Sequence, residues 1–79
     1  MRTRSQHKPA YRALRALLRS MRETAGLTQR DLAKRIGIHA TMVHRSETGD
    51  RKIDPVEFAD WCRACGEDPG DAIRKLGRK

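Results

Sequence analysis

From Tyr11 to Ala25 the apolar residues Leu14, Leu17, Leu18 and Met21 recur at the i, i+3, i+4, i+7 spacing of one helix face, with Arg12, Arg15, Arg19 and Arg22 around it. This predicts a first helix, its apolar face turned toward helices two and four. Gly26 stops it, because a residue without a Cβ can take the left-handed turn past a helix end. Thr28 is placed to cap a second helix with its hydroxyl, and Asp31 supplies the reciprocal acidic partner of a capping box. That helix runs to about Ile36 and buries Leu32 and Ile36, with Ala33 small enough for close approach. Gly37 and Ile38 make a tight turn into a third helix, Ala40 to Thr48, whose clear inward residue is Val43; Gly49 ends it. Two Asp-Pro pairs open the remaining helices, since Asp caps well and Pro at the first helical position loses only an N–H that had no partner. Asp54-Pro55 starts a fourth helix that buries Phe58, Trp61 or Cys62, and Cys65, and Asp68-Pro69 starts a fifth with the stripe Ala72, Ile73 and Leu76. Met1 to Lys8 shows no periodicity and reads as a mobile arm. No strand alternation or repeat is present, so the expectation is an all-α, five-helix fold: a basic arm over residues 1–9 and one domain over residues 10–77.

Composition narrows the function classes. At 79 residues the chain fits one domain, because each of two cores would fall below the ~40 residues at which folding alone usually needs a disulfide, metal or partner. Only 37% of residues are hydrophobic and 4% aromatic, a thin core for which a second copy is a natural source of stability. Trp61 serves either that core or a dimer contact. No enzyme-sized cleft is expected, no spacing joins a nucleophile, base and orienting group, and no small-molecule substrate is evident. No stretch approaches the ~20 apolar residues of a membrane span and no apolar signal region opens the chain, so a soluble, cytoplasmic, nucleoid-associated protein is expected. Cys62 and Cys65 have zinc-ligand spacing, but a closed zinc site takes four ligands, and His39 and His44 fall on the opposite side. Reduced structural thiols are expected, with neither metal nor cofactor.

Charge adds a direction. Residues 1–45 carry 11 basic and 2 acidic side chains, a net +9, whereas residues 46–79 carry 7 basic and 8 acidic, a net −1. A one-sided positive field concentrates polyanions and is the electrostatic footprint of nucleic-acid binding, although a solubilising surface has the same composition.

The run Gln29 to Arg45 has helix-turn-helix spacing: Ala33 small where two helices cross, Gly37 at the sharp turn, and Leu32, Ile36, Ile38 and Val43 locking the angle from inside. That angle lets the second helix of the pair enter the ~12 Å major groove while the first crosses the backbone. Leu27-Thr28-Gln29, Ala33, Gly37 and Glu47-Thr48-Gly49 at these intervals resemble the Xre-like family of phage-repressor and Cro-type regulators over about Leu14 to Ile73. The resemblance implies a lambda-repressor-like domain that binds double-stranded DNA as a homodimer.

The same resemblance assigns roles by position. Thr28, Gln29 and Arg30 lie where the family grips a phosphate at the start of helix two, Gln29 as the clamping glutamine. His39, Ala40, Thr41, His44 and Arg45 are its outward recognition residues. Arg45 is suited to guanine, His44 to a purine N7 or a phosphate, and the methyls of Ala40 and Thr41 to thymine. Arg51 and Lys52 would reach backbone phosphates, and the basic arm, with Arg2, Arg4 and Lys8, either follows a groove or stays solvated. Arg22 and Glu47 match a pair that the family often joins by a salt bridge. Ser46 stands at a usually apolar site and Ala40 at a commonly longer polar one, which shifts weight from base contacts toward DNA shape. Ala72, Ile73 and Leu76 are the expected dimer interface. The reading is a non-enzymatic repressor or autoregulator on a palindromic operator. The alternative is an antitoxin that holds a toxin protein, disfavoured because only Gly77-Arg78-Lys79 follow helix five.

Overall fold

The first turns explain where the helices start. The computed structural model describes residues 8–77. Among them α1 spans Pro9–Thr24, α2 Gln29–Ile36, α3 Ala40–Thr48, α4 Pro55–Ala64 and α5 Pro69–Gly77, with no strand. Thr28 Oγ1 accepts from the Asp31 N–H at 3.0 Å while the Asp31 carboxylate accepts from the Thr28 N–H at 3.0 Å, the predicted capping box. The Thr28 N–H holds the Asp31 carboxyl below the usual carboxylate range. This brace is therefore present above the ordinary carboxylate pKa and is lost as pH falls through the lowered value. Asp54 caps α4 through the Glu57 N–H at 2.8 Å, and Asp68 accepts from the Asp71 N–H at 3.0 Å at the start of α5. Helix α1 begins two residues before the predicted Tyr11, because Pro9 sits at a first-turn position after an extended Lys8. Arg2, Arg4 and His7 of the expected arm lie outside the described residues.

The core is built from Leu18 and Met21 of α1, Leu32 and Ala33 of α2, Val43 of α3, Phe58, Trp61 and Cys62 of α4, Cys65, and Ala72 of α5. Both residues of the Trp61/Cys62 alternative are buried. Trp61 is the anchor: its ring is fully enclosed and its Nε1–H donates to the Leu18 carbonyl at 3.0 Å, so the largest side chain also satisfies its polar atom. The expectation for α1 is corrected in one respect. It packs mainly on α3, α4 and α5, whereas α2 packs on α3 and α4. The α2–α3 pair is thus clamped from behind by α1 and α4. Ala72 is likewise sealed inside its own chain and is removed from the expected dimer face, while Ile73 is 50% exposed and Leu76 half-buried.

Two glycines shape the pair. Gly37 adopts φ +77, which a Cβ would strain, and its N–H and that of Ile38 both return to the Ala33 carbonyl at 2.8 and 3.0 Å. Gly49 adopts φ +94 at the end of α3, and a Cβ there would lie 2.9 Å from Arg15 Cδ. The bare backbone lets the Arg15 stem cross the C-terminus of α3.

Candidate nucleic-acid interface

Helix α3 owes its orientation to the residues it buries. Val43 and Ser46 point inward, and Thr41, His44 and Arg45 are thereby exposed together on the opposite face, with His39 exposed at the N-cap. Ala40 is half-buried against the core, so its methyl is less available than expected. Thr28 and Arg30 are exposed, and Gln29 half-buried, at the start of α2 beside this face. Since Thr28 and Asp31 occupy each other, the backbone N–H groups of Gln29 and Arg30, which have no intrahelical acceptor, remain at the helix N-terminus.

Behind the face lies an ionic brace. Arg22 Nε donates to Glu47 Oε2 at 2.6 Å and Nη2 donates to Oε1 at 3.0 Å, a two-pronged pair joining α1 to the end of α3. Arg22 Nη1 also donates to the Leu27 carbonyl at 2.9 Å, tying in the loop before α2. The side chains are only 11% and 4% exposed, and the hydrogen bond to Glu47 raises the Arg22 guanidinium above its ordinary pKa. Glu47 Oε1 accepts in addition from Gln29 Nε2 at 3.1 Å. The amide nitrogen of the expected phosphate clamp is therefore engaged with the protein itself.

Arg51 departs further from its expected role. Its Nη2 pairs with Glu57 Oε2 at 2.6 Å and its Nη1 donates to the buried Ser46 hydroxyl at 3.1 Å. This explains why a hydroxyl is tolerated at a site that expectation made apolar: the guanidinium satisfies it. Lys52 is exposed, its ammonium 5.9 Å from the centroid of the Tyr11 ring. The Arg51–Glu57 pair spans a loop and a helix start, so no short-range sequence signal announces it. Nor does spacing announce Arg35, whose Nη1 donates to the Ala64 carbonyl at 2.9 Å and binds α2 to the end of α4.

Residues 13–76 match the sequence pattern of the family described as a helix-turn-helix domain. A solved XRE-family like protein from Pseudomonas syringae pv. tomato is similar, with 40% identity over 92% of this chain and 89% of its own, and a TM-score of 0.84. The chain belongs to the XRE helix-turn-helix family. Two structures of the clp gene regulator ClgR from Corynebacterium glutamicum are also similar at 27% identity, with TM-scores of 0.78 and 0.77. They align with 89% of this chain and with 74% and 91% of their own chains. No curated protein matches in sequence. As an XRE-family domain the chain is a DNA-binding regulator, and the predicted fold, motif and family agree with the observed ones.

Away from this face, the XRE domain holds Cys62 and Cys65 as free, buried thiols. Burial pushes Cys65 up to about 11 and raises Cys62 as well, so thiolate is scarce at neutral pH. An aromatic disulfide reagent at pH about 8 should modify both thiols in denaturant and neither rapidly in the native protein; a fast native reaction at either would contradict this burial. Among the described residues no group of three His, Cys, Asp or Glu side chains is arranged to hold a metal ion, and no helix is long and apolar enough to cross a membrane.

Proposed function

We infer that this protein is a transcriptional repressor or autoregulator that reads a specific duplex site by laying α3 in the major groove. The observation that carries the reading is the joint exposure of Thr41, His44 and Arg45 on one face of α3, flanked by the N-terminus of α2. Arg45 pairs with a guanine edge, and Thr41 and His44 contact neighbouring bases. The Gln29 and Arg30 backbone amides, with the exposed Arg30 guanidinium, hold the backbone phosphate and set the register, and Lys52 adds a further phosphate contact. His39 and the half-buried Ala40 border the groove rather than dominate the readout.

A homodimer presents two such helices to a palindrome, with half-sites about one helical turn apart. Ile73 and Leu76 support α5 as the dimer contact, because they edge an apolar groove of about 410 Å³ that also includes Leu14, Phe58 and Pro69. The arm and domain division at about residue 9 is part of the same reading, with α1 beginning the folded unit.

Binding selection from random DNA tests the whole proposal: a palindromic consensus is expected, and the absence of any enriched sequence would overturn it. Arg45→Ala should cost about 1 to 3 kcal/mol on the selected site and far less on random DNA, relaxing one base position per half-site. Arg30→Ala should weaken both by similar factors and leave the consensus unchanged. An Arg45→Ala consensus identical to wild type would restrict Arg45 to phosphate.

A further inference from the structure

Gln29, His44 and Glu47 meet where the start of α2 faces the outer side of α3. One atom, Gln29 Nε2, lies 3.1 Å from Glu47 Oε1 and 3.4 Å from His44 Nδ1. A carboxylate only accepts hydrogen bonds, so the amide must turn its nitrogen and not its oxygen toward Glu47. That nitrogen carries a second hydrogen toward His44 Nδ1. Two donors cannot share a hydrogen bond, so Nδ1 is the unprotonated ring nitrogen and the proton of the neutral imidazole resides on Nε2. Glu47 is a firm origin for this chain of constraints, since its side chain is 4% exposed and held by both Nε and Nη2 of Arg22.

The geometry points to Glu47 as a positioning residue for base reading: acting through Gln29, it holds His44 in the Nε2–H form, so that α3 offers a hydrogen-bond donor at this position. This rests on the DNA-reading function proposed above. A donor matches N7 or O6 of guanine, N7 of adenine or O4 of thymine, and not the N4 amino group of cytosine. With the tautomer released, the ring accepts as well as donates and the discrimination is lost. The same chain turns the Gln29 amide oxygen outward, a poor partner for phosphate. The anion at the start of α2 is therefore met by the backbone N–H groups of Gln29 and Arg30 rather than by the glutamine side chain.

Changing Glu47 would also strip Arg22 of its partner, so the relay is best cut at Gln29→Met, which keeps length and removes both amide donors in a helix still capped by Thr28. Long-range proton–nitrogen correlation spectra of the free protein, at pH about 8.5 and alkaline to the ordinary histidine range, report which ring nitrogen is protonated. His39, exposed and making no side-chain cap, is the internal reference. The expected result is a single Nε2–H form for His44 in the wild type, a mixed population for His39, and a mixed population for His44 in Gln29→Met. A wild-type His44 protonated on Nδ1, or indistinguishable from His39, overturns the inference. In binding selection, Gln29→Met should accept cytosine at a position where wild type rejects it about tenfold; an unchanged consensus overturns the role in specificity. Loss of all sequence preference in the wild type would instead remove the DNA-reading function while the tautomer result stood.

Discussion

Glu47→Ala should be among the most destabilising single substitutions in this domain. It leaves the Arg22 guanidinium, 11% exposed, without the carboxylate that engages two of its nitrogens. Removing one partner of a buried pair typically costs about 3 to 5 kcal/mol, because the remaining charge stays desolvated and uncompensated. Arg22 keeps its bond to the Leu27 carbonyl, which argues for the lower end, about 3 kcal/mol. For a domain of this size that corresponds to a fall in Tm of roughly 12 to 24 °C. The pair itself is a different quantity. Replacing both members by apolar residues, as in Arg22→Met with Glu47→Leu, removes charge and countercharge together and should recover most of the loss. Thermal melts of the wild type, the single variant and the double variant form the cycle that decides it. If Glu47→Ala melts within a few degrees of wild type, Arg22 is solvated in solution and the brace does not hold α3 to α1.

The recovery of stability in the double variant should not bring DNA binding with it. Glu47 also holds Gln29, whose amide nitrogen in turn faces His44 on the exposed side of α3. On the proposed function, stability and recognition share one carboxylate. This is a reason to keep a buried ion pair that an apolar pair could replace energetically.

Local chemistry was legible in the sequence, and long-range pairing only where the family supplied it. Thr28 with Asp31, Asp54 with Pro55, and the left-handed helix ends at Gly37 and Gly49 each act within a few residues and follow from spacing, whereas the passage of Arg15 over Gly49 does not. The Arg22–Glu47 pair, 25 residues apart, was anticipated only through the resemblance, since periodicity carries no information about which charges meet across a fold. Arg51 shows the cost of that gap. Its position beyond α3 suggested a phosphate contact, yet Glu57 and Ser46 claim its guanidinium. Ala72 shows the converse: a stripe on α5 reads as one apolar face, but the thin core encloses Ala72 and leaves Ile73 exposed and Leu76 half-buried. Gln29 combines both lessons: spacing puts it at the start of α2 beside the exposed face of α3, but its amide nitrogen is bonded to Glu47 across the fold.

DNA affinity should fall about a thousandfold between 50 and 200 mM salt, the largest effect expected of this protein in solution. Each phosphate neutralised by a lysine or arginine releases condensed counterions, so log affinity falls with log salt at a slope near −0.9 per phosphate. The net +9 of residues 1–45 supplies the field, but the slope counts only cations that reach phosphate. Arg22 and Arg51 are committed to Glu47 and Glu57, and Arg35 to the Ala64 carbonyl. Arg30 and Lys34 are exposed one helical turn apart on α2, and Lys52 is exposed beyond α3. Three such cations per protomer would give the proposed dimer about six phosphate contacts and a slope near −5, which sets the thousandfold figure. The pairing of Arg51 sharpens the test. Lys52→Ala should make the slope shallower by about one for each protomer on the DNA, whereas Arg51→Ala should lower stability and leave the slope unchanged. Titrations of a fluorescent duplex at several salt concentrations measure all three proteins. A slope near zero in the wild type would remove phosphate contacts as the source of affinity, and a slope that drops equally in Arg51→Ala and Lys52→Ala would mean that Arg51 leaves Glu57 for the DNA.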